Sequence, residues 1–474
     1  MKKISKFLFG AYIVSLGLIS CQHDLTSLND DPKHPSVLPS GNLLATALYQ
    51  SSYYMDTPSV NYNNYRFFTQ LWAETTYNDE TQYDLVTRNQ PRNHFNRMYV
   101  YSINNLKSAK KALESESGTD EVINNKWATL EIEEIFIWEN VVDTYGDVPY
   151  SEAFDPDGHL SPKYDDAHSI YTDLIGRLDD AIGKISTSSK GYSSEDLIYY
   201  GDMSKWKKFA NSVKLRLAMN LADIDPGTSK SAAESAIASG VIDSEESSYK
   251  FKYDGGTFVN PVYDNVVASG RDDFLPSSIV VDLMNSTSDP RRDIWFTKVD
   301  DEYKGGVFGP KNSYEYFSHL GASLIASTAY SQLLPYAEVL LLEAEAAARQ
   351  YSVGGTAENF YNKAVEASMS ANGISATDIS AYLQNNPYDA NNWKKSIGTQ
   401  AFITLFNTPF GLWNINRRLD YPVLQVPSGS NTTTVPHRMP YSDQEYVLNK
   451  QNVEAAASAI GGDKAETKLF WDIY

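Results

Sequence analysis

The sequence predicts a mainly α fold, with antiparallel helix pairs carrying a loop-rich subdomain of short strands. Three observations carry this expectation. Segment after segment places apolar residues three and four apart, the spacing of one helix face. Two consecutive segments, LPYAEVLLLEAEAAARQY and TAENFYNKAVEASMSANG, are separated only by a short stretch containing Gly354-Gly355 and present alanines on facing stripes. Between Ser247 and Leu320 the texture changes to glycine pairs, prolines and aromatics without helical spacing.

The elements follow in chain order. The run from Phe7 to Ser20 is about 14 residues, too short to cross a bilayer as a helix. Lys2, Lys3 and Lys6 precede it, the basic start of a secretory signal peptide over residues 1–20. It ends in Leu18-Ile19-Ser20-Cys21, which holds the only cysteine of the 474 residues. That tetrapeptide resembles the lipobox of bacterial lipoproteins, where cleavage leaves the cysteine first and its thiol takes a diacylglyceryl group. Acylation, palmitate being a typical chain, removes the liability of a lone exported thiol. It also holds a folded domain on a membrane without a spanning helix. Residues 21–40, rich in Pro, Asp and Ser, read as a tether, and residues 41–474 as the folded body.

Within the body, Trp127, Leu130, Trp138, Val141 and Tyr145 form one apolar stripe, and Ile132, Ile135, Phe136 and Val142 a second. A helix apolar on two sides is buried between neighbours. Another runs from Trp206 through Phe209, Val213, Leu217 and Leu221 to Ile224, before Asp225-Pro226-Gly227. In the alanine-rich pair, Leu333, Ala337, Leu340, Ala344, Ala347 and Tyr351 face Phe360, Ala364, Ala367 and Ala371, with a stop at Gly373. Glu345 and Arg349 are spaced to pair on the wet face. Small facing residues let two helices approach closely, and the hairpin resembles a tetratricopeptide unit. No strict 34-residue period recurs.

Composition excludes several functions. A net charge of −20 argues against nucleic acid, whose phosphates are bound mainly by Lys and Arg. The seven histidines show no H-E-x-x-H or other close metal-binding spacing, and no G-x-S-x-G elbow or Walker loop occurs. In DPDGHLSPKYDD, aligning Gly158 with the sixth-position glycine of a calcium loop puts Ala153 and Tyr164 where acids are required, so a plain turn is expected. No cofactor, metal or catalysis is expected. The 33 tyrosines exceed what a core calls for and suit half-wet recognition surfaces.

Several segments, in order, resemble the SusD/RagB family of nutrient-binding outer-membrane lipoproteins, in its SusD-like branch with shorter chains. They are QLWAETTYNDETQYD, DTYGDVPYSEAF, WKKFANSVKLRLAMNLAD, RDDFLPSSIVVDLMNSTSDPRRDIWF, YKGGVFG, LLPYAEVLLLEAEAAAR, AFITLFNTPFGLWNINRRLDYPVL and VPHRMPYSDQEYVLNKQNV. The resemblance implies tetratricopeptide-type helix pairs with a loop-rich face. It also implies capture of a glycan or peptide at the cell surface, as a lid over a SusC-like TonB-dependent transporter.

A sugar ring stacks its C–H face on an aromatic side chain, while its hydroxyls require donors and acceptors. Two loops have that mixture, in regions where the family's ligand contacts lie: Trp72, Tyr77, Asn78, Asp79 and Tyr83 in the first, and Tyr303, Asn312, Tyr314 and Tyr316 in the second. A third aromatic strip, Tyr53 to Phe68, is either a held-down connection or a partner surface. The Arg pair of LWNINRR suits buried carboxylates. The expected partners are therefore an oligosaccharide or peptide, a SusC-like transporter and the outer membrane through a lipid at Cys21. The alternative is an outer-membrane scaffold whose tetratricopeptide-type helices bind a protein partner.

Overall fold

The computed structural model describes residues 38–474; the signal segment, Cys21 and nearly all of the tether lie outside the described residues. The longer helices are α1 (Ser40–Asp56), α2 (Gln90–Asn96), α3 (Asn104–Leu113), α4 (Asp120–Tyr145), α5 (Ala167–Lys184), α6 (Met203–Asn220) and α7 (Pro226–Ser239). They continue with α8 (Ser278–Ser286), α9 (Tyr336–Ala348), α10 (Ala357–Ala371), α11 (Ala376–Asn385), α12 (Trp393–Thr404), α13 (Pro409–Leu419) and α14 (Lys450–Ala459). A π-helical segment, Arg97–Ile103, joins α2 to α3. The fold is mainly helical, as the spacing predicts, and among the described residues no helix is long and apolar enough to cross a membrane.

Sequence-local signals start the helices. Thr119, Asp166, Asp202 and Thr356 accept backbone N–H bonds at the N-termini of α4, α5, α6 and α10. The expected end of α6 at the Asp225-Pro226-Gly227 turn is moved: α6 stops at Asn220, and Asp225 caps α7 with Pro226 in its first turn. Proline has no N–H to lose there, so it opens the next helix instead of closing the last.

Hairpins α4–α5, α6–α7 and α9–α10 pack side by side, with α5 against α6 and α9 against α6 and α12. Helix α4 is buried from Ala128 to Tyr145, the two-sided burial its double stripe predicts. This burial carries charge inward. Arg216 of α6, fully buried, holds Glu139 of α4 at 2.6 Å and Glu338 of α9 at 3.1 Å, tying three helices together. Arg418 of α13 grips Glu345 at 2.7 Å. Arg417 instead donates to the Asp143 and His437 carbonyls, so only one of the two arginines meets a carboxylate. Glu345 does pair with Arg349, at 3.0 Å, but the carboxylate is buried against Arg418 and not on a wet face.

The strands form three two-stranded antiparallel sheets: β1 (Trp72–Glu74) with β5 (Phe274–Pro276), β2 (Val148–Pro149) with β3 (Tyr164–Asp165), and β4 (Tyr249–Lys252) with β6 (Tyr330–Leu334). The first of these joins the most distant segments relevant to the loops. Its register, Trp72 opposite Pro276 and Glu74 opposite Phe274, joins segments some two hundred residues apart. Gly306 then bridges to Ser277, with its N–H on the Pro276 carbonyl at 2.9 Å. A Cβ on the neighbouring Gly305 would sit 2.5 Å from the Ser277 carbonyl, so only glycine allows the chain this close.

Candidate functional site

Strand pairing brings the two sequence-predicted loops together. The amide of Asn78 donates to the Gly309 carbonyl at 2.9 Å, and Asn312 donates to the Glu74 carbonyl from both its backbone and its side chain, at 3.0 and 2.9 Å. Asn312 also accepts from the Val307 N–H and donates to the Val307 and Pro310 carbonyls. Its side chain is committed to holding the loop and is not free for a ligand.

The nine candidates separate by burial. Trp72 and Tyr83, 2% and 1% exposed, are core side chains. Trp72 packs on Phe274 and lies under the Arg66 guanidinium, and Tyr83 packs on Phe308 with its hydroxyl accepting from Gln70 at 2.7 Å. They brace the loops, and neither offers a ring face to solvent. Tyr303 stands apart, its ring under Arg292 and Lys298 and its hydroxyl on Asp293. The solvent-facing aromatics are Tyr77, 49% exposed, Tyr316, 64% exposed, and half-buried Tyr314, which stacks on His319 with ring centroids 3.8 Å apart.

Tyr77 edges a cleft of about 140 Å³ whose polar lining includes Glu74, Glu80, Arg88, Arg271, Asp273 and Asn61. The guanidinium groups of Arg88 and Arg271 lie 5.3 and 5.7 Å from the Tyr77 ring centroid. Each is held by acids: Arg88 by Glu80 at 2.7 Å and Asp79 at 3.1 Å, Arg271 by Asp273 at 2.6 Å. Arg88 and Arg271 were not among the sequence candidates. Arg271 reaches the cleft only because β5 pairs with β1, and no local pattern announces that. Asn61, from the third aromatic strip, also lines the cleft, its carbonyl accepting from Asn93 at 2.9 Å.

Beneath Tyr77, Glu74 and Glu80 are almost fully buried. Glu74 accepts from the Thr81 N–H and hydroxyl, both at 3.0 Å, and Glu80 from Arg88 and Gln90. Burial, then the neighbouring Glu80 charge, pushes the Glu74 carboxyl up, and burial raises Glu80 against the pull of Arg88. Like-charged buried carboxyls do not both ionise readily, so the pair keeps a proton at neutral pH. The folded protein then holds a proton that the unfolded chain releases above the ordinary carboxylate value of 4.5. Stability therefore falls as pH rises above that value. Glu74→Gln is expected to flatten this decline, by at most about 1.4 kcal/mol per pH unit. Urea denaturation between pH 5 and 8 measures it, and an unchanged slope overturns the shared proton.

The cleft thus combines one half-exposed ring face with the guanidinium donors of Arg88 and Arg271 and the acceptors of Asp273 and Asn61. Among the described residues no cluster of metal-ligating side chains occurs.

Comparison with known proteins now adds to the geometry. A family model described as "Starch-binding associating with outer membrane" matches residues 32–442. A solved structure titled a chitin-binding protein is 28% identical, with a TM-score of 0.81 over 92% of this chain and 100% of that one. A SusD homolog from Bacteroides uniformis is 25% identical, with a TM-score of 0.80 over 92% of this chain and 99% of that one. A chitin-binding SusD homolog from Flavobacterium johnsoniae, 24% identical with a TM-score of 0.76 over 92% and 97% of the two chains, shares the fold. No curated protein matches the chain.

Proposed function

The chain belongs to the SusD-like family, and from that premise we propose that it captures an oligosaccharide at the cell surface and delivers it to a SusC-like TonB-dependent transporter in the outer membrane. The family is one of binding proteins, and the protein is not an enzyme. The observation that carries the glycan reading is Tyr77 standing half exposed over a cleft lined by Arg88, Arg271 and buried carboxyls. The ring supplies a flat apolar face for sugar C–H groups, and Arg88, Arg271, Asp273 and Asn61 along the cleft supply donors and acceptors for hydroxyls. A relative 28% identical over its whole length is titled chitin-binding, and the family is described as starch-binding. Oligomers of N-acetylglucosamine and of glucose are therefore the first ligands to test.

Calorimetry with these oligomers and with short peptides tests the reading. Saturable binding of an oligosaccharide, with the ligand recovered intact, is expected. Binding of peptides alone, or of no member of the set, overturns it.

In the same reading Cys21 carries the lipid that keeps the protein on the membrane, and residues 1–20 are removed on export. Cys21→Ala is expected to move the protein from the membrane fraction to the soluble fraction. Unchanged fractionation overturns the anchor while leaving the binding site untouched.

A further inference from the structure

Arg97 opens the π-helical segment that follows α2. Its guanidinium carbon lies 4.4 Å from the ring centroid of Tyr54, 5.0 Å from that of Tyr62 and 4.6 Å from that of Tyr101, and it donates to the Tyr62 hydroxyl at 3.3 Å. Arg88 and Arg92, just before it in the chain, each have a carboxylate within 3.2 Å. Among the described residues Arg97 has no acidic partner, although the chain carries a net charge of −20. A cluster built only to hold the helix would bury its rings, yet Tyr101 is 45% exposed and Val100 beside it is also exposed. π-Helical turns recur at functional sites because they shift side chains off the ordinary helical register.

The cluster is continuous with the cleft. Asn93, one turn before Arg97, donates to the carbonyl of Asn61 at 2.9 Å and to that of Arg88 at 3.2 Å, and both of those residues line the Tyr77 cleft. Tyr62 follows Asn61 directly in the chain. The pairing of tyrosine ring with guanidinium seen at Tyr77 is thus repeated next door. From Asn93 to Tyr101 the helix covers on the order of 10 Å, more than one sugar ring.

We infer that the tyrosine cage around Arg97 is a second contact for the same ligand, so that the protein grips an extended oligosaccharide running from the Tyr77 cleft past Asn61 to Tyr101. This rests on the glycan reading of the cleft. Arg97 supplies N–H donors to a ring or carbonyl oxygen of the outer sugars, and the free face of Tyr101 supplies a stacking surface.

A chain-length series separates this inference from the reading beneath it. Calorimetry with N-acetylglucosamine oligomers from dimer to hexamer, and glucose oligomers of the same lengths, is run on the wild type, Tyr101→Ala, Arg97→Met and Tyr77→Ala. Thermal melting of each variant provides the folding control. Both distal variants are expected to weaken the hexamer about five- to tenfold and to leave the dimer unchanged, whereas Tyr77→Ala weakens every length. If Tyr101→Ala and Arg97→Met leave the hexamer unaffected, or weaken dimer and hexamer alike, the track is overturned while the cleft stands. A silent Tyr77→Ala overturns the cleft and the track together, and so does a wild type that binds no oligomer of either series.

Discussion

Replacing Tyr77 by alanine is expected to lower the affinity for any bound oligosaccharide by about 30-fold or more, the scale of a central aromatic contact of about 2 kcal/mol. The ring is half exposed and flanked by two guanidinium groups, so its removal takes away the stacking face without opening the core. Arg88, Glu80 and Asp273 keep their ion pairs in the variant. The folding midpoint should therefore move little while binding is lost. Tyr77→Phe keeps the face and should retain most of the affinity, which distinguishes stacking from hydrogen bonding by the hydroxyl. Trp72→Phe gives a contrast: its ring is buried under Arg66, so the change is expected to act on stability and not on contact with ligand. Wild-type affinity in Tyr77→Ala would show that the ligand sits elsewhere.

Arg216→Met is expected to destabilise the protein by about 3–5 kcal/mol, because it strands two buried carboxylates. Glu139 and Glu338 face the same guanidinium with no solvent to take its place. Burial already raises both carboxyls even with the arginine present. Without it they rise further, so the folded variant must hold protons that the unfolded chain gives up above the ordinary range. The deficit should accordingly be largest at pH 8 and shrink toward pH 5, where protonation neutralises the stranded groups. Urea denaturation of wild type and variant at the two pH values checks both size and sign. A deficit independent of pH would mean that lost packing of the arginine stem, and not uncompensated charge, sets the cost.

Much of this molecule is legible without its structure wherever the signal is local. The double stripe of α4 and the alanine faces of α9 and α10 lie within the helices they specify. The Pro226 turn was legible as a boundary but not as the start of the next helix, since a proline reads alike after one helix and at the first position of another. Burial was harder to read. Trp72 and Tyr77 are five residues apart with the same aromatic character, yet Trp72, in β1, is sealed beneath Arg66 and Phe274 and Tyr77, in the loop after it, faces water. Asn312 has the composition of a ligand contact, yet its side chain is consumed by three hydrogen bonds within its own loop and one to the distant Glu74 carbonyl.

By itself the sequence determined the helical class, the alanine-rich hairpin and the family, because period and motifs are properties of contiguous residues. Tertiary structure alone decided which side chains line a common cleft. The pairing of Glu74 with Phe274 and the docking of Gly306 on Ser277 bring Arg271 to Tyr77, and the docking of the Asn61 loop completes the cleft. The reason is physical: a ring's exposure and a carboxyl's proton depend on what packs against them, and in this fold those neighbours come from more than two hundred residues away, as Phe308 does against Tyr83.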